Sequence, residues 1–191
     1  MKFIFDFDDV LFHNTAQFKE HMYSCLEKAG VSHGMPAEYY KEMRGNQFQP
    51  KKFISGLLTR CKLNKNAGDI YEEILSQVKN FLNTEVLEII KKLGKDNCYL
   101  VTQGNKEFHE DKLKASGVVP LFHEVTIVPE FKKSVIENIC KNHKDETVIF
   151  IDDRQKFFDE LDYKKYPNLK TILFDEQGLE KLKAEISKNT N

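Results

Sequence analysis

Residues 3–11 read Phe-Ile-Phe-Asp-Phe-Asp-Asp-Val-Leu, a short apolar stretch that runs into three acidic residues close to the N-terminus. An ionised carboxylate is costly to bury unless it is paired or holds a metal ion. Side chains at positions i and i+2 of an extended segment share a face, so we expect Asp6 and Asp8 to point the same way. Two such charges repel strongly unless a cation lies between them or one takes a proton. The stretch therefore favours a chemical site over an edge strand that enters a charged turn.

The segment that follows is helical in character. Apolar residues recur with a helical period from about residue 18 to residue 82, and no strand pattern interrupts them. Four helices are predicted there, on the apolar positions of residues 18–29, 39–43, 53–61 and 70–82. We therefore predict a small all-helical domain, residues 12–83, inserted directly after the first strand.

From Thr84 onward the predicted elements alternate. Helices are predicted over residues 86–93, 105–116, 133–142, 155–163 and 179–186, and strands over residues 98–102, 124–128, 147–151 and 171–174. This alternation is typical of βαβ units in a parallel, doubly wound sheet. The predicted class is α/β, with a core domain formed by residues 1–11 and 84–191.

Composition narrows the class of protein. A formal net charge of -1 provides no general basic surface for nucleic acid, and no apolar stretch approaches the length of a membrane span. The first acidic residue comes too early for a secretory signal, and the four cysteines form no Cys-x-x-Cys pair. We expect a cytoplasmic protein with reduced thiols, either a monomer or a weak homodimer, that binds neither nucleic acid nor membrane.

Three predicted strands end in polar residues. The first ends in Asp6-Phe7-Asp8, another in Thr102-Gln103-Gly104-Asn105, and a third in Asp152-Asp153. In open α/β sheets, ligands bind beyond the carboxyl ends of the strands, near the point where the strand order reverses. We therefore expect these three groups to contribute to one site.

In this order, the motifs resemble those of the haloacid dehalogenase (HAD)-like hydrolase superfamily. Residues 5–11 resemble its first motif, residues 99–102 its second, and residues 149–153 its fourth. Lys132 or Lys133 would supply the third. The resemblance implies a HAD-like Rossmannoid core, and the helical insertion lies where the superfamily places a C1-type cap.

The resemblance also implies roles for individual residues. Asp6 would be the nucleophile that forms an aspartyl-phosphate, and Asp8 would be the general acid and base. Mg²⁺ would be held by Asp6, the backbone carbonyl of Asp8 and Asp153, with Asp152 beside them. Thr102 and one lysine would stabilise the phosphoryl oxygens.

Substrate contacts are predicted at two further places. The end of the second motif would bind phosphate through Gln103, Gly104 and Asn105, since backbone amides at a helix N-terminus attract anions. Arg44 lies in a predicted turn of the insertion and could clamp an anionic group, although a surface arginine in an ordinary turn fits the pattern equally well.

Two positions depart from the superfamily pattern. Asp9 replaces the usual glycine of the first motif, and Phe157 occupies the position, four residues after Asp153, where a second acid often stands. Asp152, or Asp159 after a shift in register, would then take over the supporting role of that acid.

Together these features predict a Mg²⁺-dependent phosphatase that hydrolyses a small phosphorylated metabolite. A phosphomutase of the same superfamily and a non-catalytic binding module with a vestigial site remain as alternatives.

Overall fold

The computed structural model describes residues 1–13, 15–43 and 47–188. Its centre is a sheet of five parallel strands in the order β3-β2-β1-β4-β5. The strands are β1 (Lys2–Phe5), β2 (Cys98–Gln103), β3 (Glu124–Val128), β4 (Val148–Asp152) and β5 (Leu169–Leu173). The predicted α/β class and parallel sheet are confirmed.

The helices occupy the segments between the strands and the segment after the last strand. They are α1 (Thr15–Lys28), α2 (Met35–Glu42), α3 (Pro50–Arg60), α4 (Ala67–Ser76), α5 (Thr84–Leu93), α6 (Lys106–Ser116), α7 (Lys133–Asn142), α8 (Lys156–Asp159) and α9 (Gly178–Ser187). Among the described residues, no helix combines the length and the apolar composition needed to cross a membrane. Helices α1 to α4 lie between β1 and α5, as predicted for the insertion.

Helix α8 is shorter than predicted. The periodicity predicts a helix over residues 155–163, but the structure ends it at Asp159. The following segment folds into turns, in which the Asp162 side chain accepts a hydrogen bond from the backbone N–H of Lys165 at 3.0 Å. Aspartate competes for nearby backbone donors in this way, and this favours turns over helix.

Strand β1 lies at the centre of the sheet because its side chains suit burial on both faces. Phe3, Ile4 and Phe5 are at most 2% exposed. Strands β2 and β3 continue the sheet on one side of β1, and β4 and β5 continue it on the other. The strand order therefore reverses beside β1, which is the position where this type of sheet binds ligands.

The chain divides into two compact units. The core unit comprises Met1–His13, Leu82–Gln103 and Val118–Asn191, and the helical unit comprises Asn14–Phe81 and Gly104–Gly117. This division differs from the predicted boundaries in that α6 belongs to the helical unit. Within that unit, Tyr71 of α4 donates a hydrogen bond to Asp111 of α6 at 2.9 Å. The domain boundaries at residues 11–12 and 83–84 stay a prediction.

Within the core unit, the segment that follows β1 lies beside the segment that precedes α5. Phe12 forms an antiparallel bridge with Leu82, and the backbone N–H of Asn83 donates to the carbonyl of Leu11 at 2.8 Å. These contacts hold the two ends of the insertion together beside the carboxyl end of β1.

Candidate active site

Asp6 follows β1 directly and is held by both backbone and side-chain contacts. Its backbone N–H donates to the carbonyl of Ile151 on β4 at 2.9 Å. The residue is 5% exposed. Its Oδ1 accepts a hydrogen bond from the N–H of Phe7 at 2.7 Å and forms an ion pair with the Lys132 ammonium at 2.8 Å. Both contacts are made to the same oxygen, and among the described residues no hydrogen bond or ion pair is made to Oδ2.

The structure distinguishes the two candidate lysines. Lys132, just before α7, is 1% exposed, and its Nζ lies 2.8 Å from Asp6 Oδ1 and 2.6 Å from Asp152 Oδ2. Lys133 points elsewhere, since its Nζ contacts Glu137 Oε1 at 2.6 Å and the carbonyl of Glu160 at 2.5 Å. Of the two, Lys132 therefore belongs to the acidic cluster.

Asp152 and Asp153 complete this cluster at the end of β4. Asp152 is fully buried, and both its oxygens are engaged, because Oδ2 accepts from Lys132 and Oδ1 accepts from the backbone N–H of Arg154 at 2.9 Å. Asp153 is half-buried. One carboxylate oxygen from each of Asp6, Asp152 and Asp153 lies within 4.8 Å of the others. The part of the chain that the structure describes contains no other group of this kind.

Burial dominates the electrostatics of the cluster. It raises the pKa of Asp6 to about 6, an effect that Lys132 opposes and that the charges of Asp152 and Asp8 reinforce. Burial also raises the pKa of Asp152, against the influence of Lys132. The pKa of Asp153 is raised by burial first and by the charge of Asp6 second. The chain alone therefore makes full ionisation of the cluster unfavourable.

These residues fit a divalent cation. Mg²⁺ prefers oxygen ligands and is commonly held by one or two carboxylates, with water and phosphate completing its coordination. A cation beside Asp6 and Asp153 would favour the ionised carboxylates that burial disfavours. Because both oxygens of Asp152 are engaged, that residue suits the support of Lys132 better than direct ligation.

The conformation of the loop after β1 explains why aspartate can replace the usual glycine at position 9. The backbone N–H of Phe12 donates to the carbonyl of Phe7 at 2.6 Å, and the N–H of Asp9 donates to the carbonyl of Phe12 at 2.9 Å. This tight loop gives Asp9 a φ of 56°, in the left-handed region. Glycine adopts that region most readily, and aspartate is among the few other residues that tolerate it. Asp8 is half-buried in the same loop.

Thr102 lies near the end of β2, beside the strand that carries Asp6. It is 1% exposed, and its Oγ1 is a buried hydroxyl with no hydrogen-bond partner among the described residues. An unsatisfied buried hydroxyl costs about 1–3 kcal/mol, so such groups usually have a partner that arrives with a ligand or water. Gln103, the last residue of β2, is half-buried.

The remaining predicted substrate contacts have local roles or lie outside the described residues. Asn105 caps α6, since its Oδ1 accepts from the N–H of Phe108 at 3.0 Å. Gly104 passes so close to His109 that a Cβ there would lie 2.0 Å from Cε1 of the imidazole ring. Arg44 is not among the described residues.

Phe157 belongs to the hydrophobic core and makes a second contact that the sequence did not predict. The residue is 3% exposed, and its ring centroid lies 4.6 Å from Nζ of Lys132. The alternative at Asp159 is wrong, because that side chain is exposed and accepts a hydrogen bond from Gln155 at 2.8 Å. The absence of an acid at position 157 was the one feature of the sequence that could have drawn attention to this contact.

No protein-family model and no curated protein sequence matches the chain. Solved structures do match it over nearly the whole length. A protein assigned as a HAD-like hydrolase from Burkholderia xenovorans LB400 has a TM-score of 0.63 at 16% identity, covering 93% of this chain and 86% of its own. The chain has the HAD-like fold.

Two further structures with the HAD-like fold match to a similar extent. A protein assigned as a HAD hydrolase from Bacillus subtilis, solved bound to magnesium, has a TM-score of 0.57 at 16% identity and covers 97% of each chain. A protein assigned as a β-phosphoglucomutase from Thermotoga maritima has a TM-score of 0.56 at 14% identity, covering 96% of this chain and 99% of its own. The resemblance drawn from the motifs is confirmed at the level of the fold.

Proposed function

We propose that the chain is a Mg²⁺-dependent phosphatase that hydrolyses a small phosphorylated metabolite through a phosphoryl intermediate on Asp6. The observation that carries the proposal is the buried contact between Asp6 and Lys132, beside the carboxylates of Asp152 and Asp153. A carboxylate with one oxygen fixed, and with no partner for the other among the described residues, is poised to attack phosphorus, and the HAD-like fold supports this use of the first motif.

In the proposed reaction, Asp6 attacks the phosphorus atom and forms an acyl phosphate. The bond from phosphorus to the substrate oxygen breaks, and Asp8 protonates that leaving oxygen. Asp8 then takes a proton from water, whose oxygen attacks the phosphorus of the intermediate. The second displacement breaks the bond to Asp6, releases inorganic phosphate and restores the carboxylate.

The other residues stabilise charge. The Lys132 ammonium, fixed between Asp6 and Asp152, would offset negative charge that develops on the transferring phosphoryl group. The unsatisfied hydroxyl of Thr102 can donate to a phosphoryl oxygen. Mg²⁺, when held by Asp6, Asp153 and the backbone carbonyl of Asp8, would reduce the repulsion between carboxylate and phosphate.

The experiment follows hydrolysis of p-nitrophenyl phosphate by chelated protein into which Mg²⁺ is titrated. Activity is expected to appear with Mg²⁺, to be lost in Asp6→Asn, and to fall by roughly 10²–10⁴-fold in Asp8→Asn. Lys132→Met is expected to abolish turnover, whereas the neighbouring variant Lys133→Met, whose side chain bonds Glu137, is expected to retain it. Full activity in excess chelator would contradict the proposal.

The intermediate is tested by intact-protein mass spectrometry on rapidly quenched turnover. A phosphoryl adduct mapped to Asp6 is expected, and an adduct on serine, threonine or histidine would overturn the assignment. An adduct on Asp6 that persists and passes to a second sugar would identify a phosphomutase instead.

A further inference from the structure

The ammonium of Lys132 has an unusual set of neighbours. Two of its contacts are carboxylate oxygens, on Asp6 at 2.8 Å and on Asp152 at 2.6 Å. Two aromatic rings are also near, that of Phe157, whose centroid lies 4.6 Å from Nζ, and that of Phe150, at 5.8 Å. Lys132 is 1% exposed and Phe157 is 3% exposed, so little water reaches this contact. A cation over an aromatic face is attracted to it, most strongly where both groups are desolvated.

The identity of the residue at position 157 matters because several charged groups already lie close together around Lys132. Asp6, Asp152 and Asp153 converge beside a single buried ammonium. A further carboxylate at position 157 would compete with Asp6 for Lys132. An aromatic ring attracts the ammonium without adding a charged acceptor, so the ion pairs with Asp6 and Asp152 stay intact.

We propose that Phe157 is a positioning residue that acts through Lys132, holding its ammonium between Asp6 and Asp152 by a cation–π contact. The effect on turnover rests on the proposed phosphatase function, whereas the contact itself can be tested without any activity. Phe157 occupies this position without the negative charge that a carboxylate would bring to it.

A second cation, Lys156, contacts the ring of Phe157, so its contribution must be separated from that of Lys132. Nζ of the exposed Lys156 also lies 4.6 Å from the Phe157 ring centroid. A double-mutant cycle between positions 157 and 132 isolates the contact with Lys132, because the contribution of Lys156 is present in both backgrounds and cancels.

The chain also offers a matched control. Phe158 lies beside Phe157 on α8, is likewise 3% exposed, and packs its ring edge-on against Phe150 at 5.3 Å. Within the described part of the chain, no contact joins its ring to Lys132. Phe158→Leu therefore removes the same aromatic volume from the same helix and leaves both rings near the ammonium, Phe157 and Phe150, in place.

The first test measures urea unfolding of metal-free protein for Phe157→Leu, Lys132→Met and the double variant. The expected coupling is a factor of roughly 2–30 in the unfolding equilibrium constant between positions 157 and 132. The same cycle with Phe158→Leu is expected to give a factor near 1. Equal coupling at positions 157 and 158 would overturn the proposal.

A second measurement covers the case in which Lys132→Met does not fold. Phenylalanine carrying one, two or three ring fluorines is incorporated at position 157 of a Lys156→Met background, since fluorine weakens the electrostatic attraction of the ring with little change in size and the background removes the contact with Lys156. Stability is expected to decrease stepwise with fluorine number at position 157 and to stay level at position 158. A flat series at position 157 would also overturn the proposal.

The kinetic test uses p-nitrophenyl phosphate with saturating Mg²⁺. Phe157→Leu is expected to lower kcat by roughly tenfold with KM nearly unchanged, because a misplaced Lys132 weakens transition-state stabilisation more than substrate binding. Phe158→Leu is expected to keep the wild-type kcat, and an equal loss in both variants would refute the positioning role. Wild-type protein without activity would refute the proposed function alone, while the unfolding cycle would still decide on the contact.

Discussion

At the scale of single residues, the charge of the site depends on how strongly burial opposes ionisation of its carboxyl groups. Asp6 is almost fully buried, and its pKa is raised to about 6 although a lysine lies 2.8 Å from one of its oxygens. The cost of removing a carboxylate from water therefore exceeds the gain from a single cationic partner here, as it commonly does for buried ion pairs. A second cation would reverse that balance, which is the physical argument for a metal ion at this place.

The raised pKa predicts how the stability of metal-free protein depends on pH. The native carboxyl of Asp6 keeps its proton up to about pH 6, whereas the carboxyl of the unfolded chain releases it near its ordinary pKa of 3.8. Between these values the native state binds more protons, so its stability falls as the pH rises through this window. Asp6→Asn removes this titration, and the loss of the Asp6 charge also removes part of the rise in the pKa of Asp153, an effect of the same sign on the comparison.

Urea unfolding of both proteins in excess chelator, between about pH 4 and pH 7, tests this prediction. The unfolding free energy of the wild type is expected to decline relative to that of Asp6→Asn as the pH increases. Curves that stay parallel across this range would show that the carboxyl of Asp6 titrates at its ordinary value.

At the scale of elements, two residues other than glycine adopt left-handed backbone within the described ranges of the chain. One is Asp9 in the loop after β1, and the other is Lys62, with a φ of 54°, at the end of α3. There the N–H of Lys62 donates to the carbonyl of Thr59 at 3.1 Å, and the N–H of Leu63 donates to the carbonyl of Leu58 at 3.0 Å. This pair of bonds is a Schellman motif, in which glycine usually occupies the left-handed position.

We therefore expect Lys62→Gly to stabilise the helical unit by roughly 1 kcal/mol, because glycine has no Cβ to clash in this conformation. Gly117, with a φ of 74° at the end of α6, provides the reverse experiment. Gly117→Ala should destabilise the protein by a similar amount. Chemical denaturation of both variants checks the signs, and a stability loss in Lys62→Gly would contradict the explanation.

At the scale of the whole molecule, the sheet order decides which residues meet. Strands β1 and β4 are adjacent although more than 140 residues separate them, and their ends bring Asp6 to Asp152 and Asp153. Strand β2, on the other side of β1, supplies Thr102. Because parallel strands end at the same edge, the topology concentrates these polar groups in the core unit.

This arrangement predicts that Mg²⁺ stabilises the folded protein, since the ligand group exists only when the strands are paired. At a Mg²⁺ concentration about 100 times its Kd, Tm is expected to rise by roughly 5–10 °C. Asp153→Asn should abolish the rise. Asp175→Asn, at an exposed carboxylate paired with Lys181, should preserve it. A thermal-shift titration distinguishes them, and an equal rise in both variants would point to unspecific binding.

Much of this architecture follows from local patterns. The apolar run before Asp6, the uninterrupted helical period of the insertion and the later alternation predicted the sheet and its flanking helices. Helix α8 was predicted too long, because apolar period alone could not weigh the turn-forming Asp162. The placement of α6 in the helical unit depends on contacts such as Tyr71 with Asp111, which residues distant in sequence make.

The sequence by itself determined the class of the fold and the identity of the acidic groups, because hydrophobic period and strand-end residues are local properties of the chain. Only the tertiary structure decided between Lys132 and Lys133 and revealed the ring of Phe157 beside the ammonium. Adjacent residues before a helix differ little in sequence pattern but point in different directions once the helix is packed. Direction, and therefore contact, is set by the packing of α7 against β4, and no local pattern contains that information.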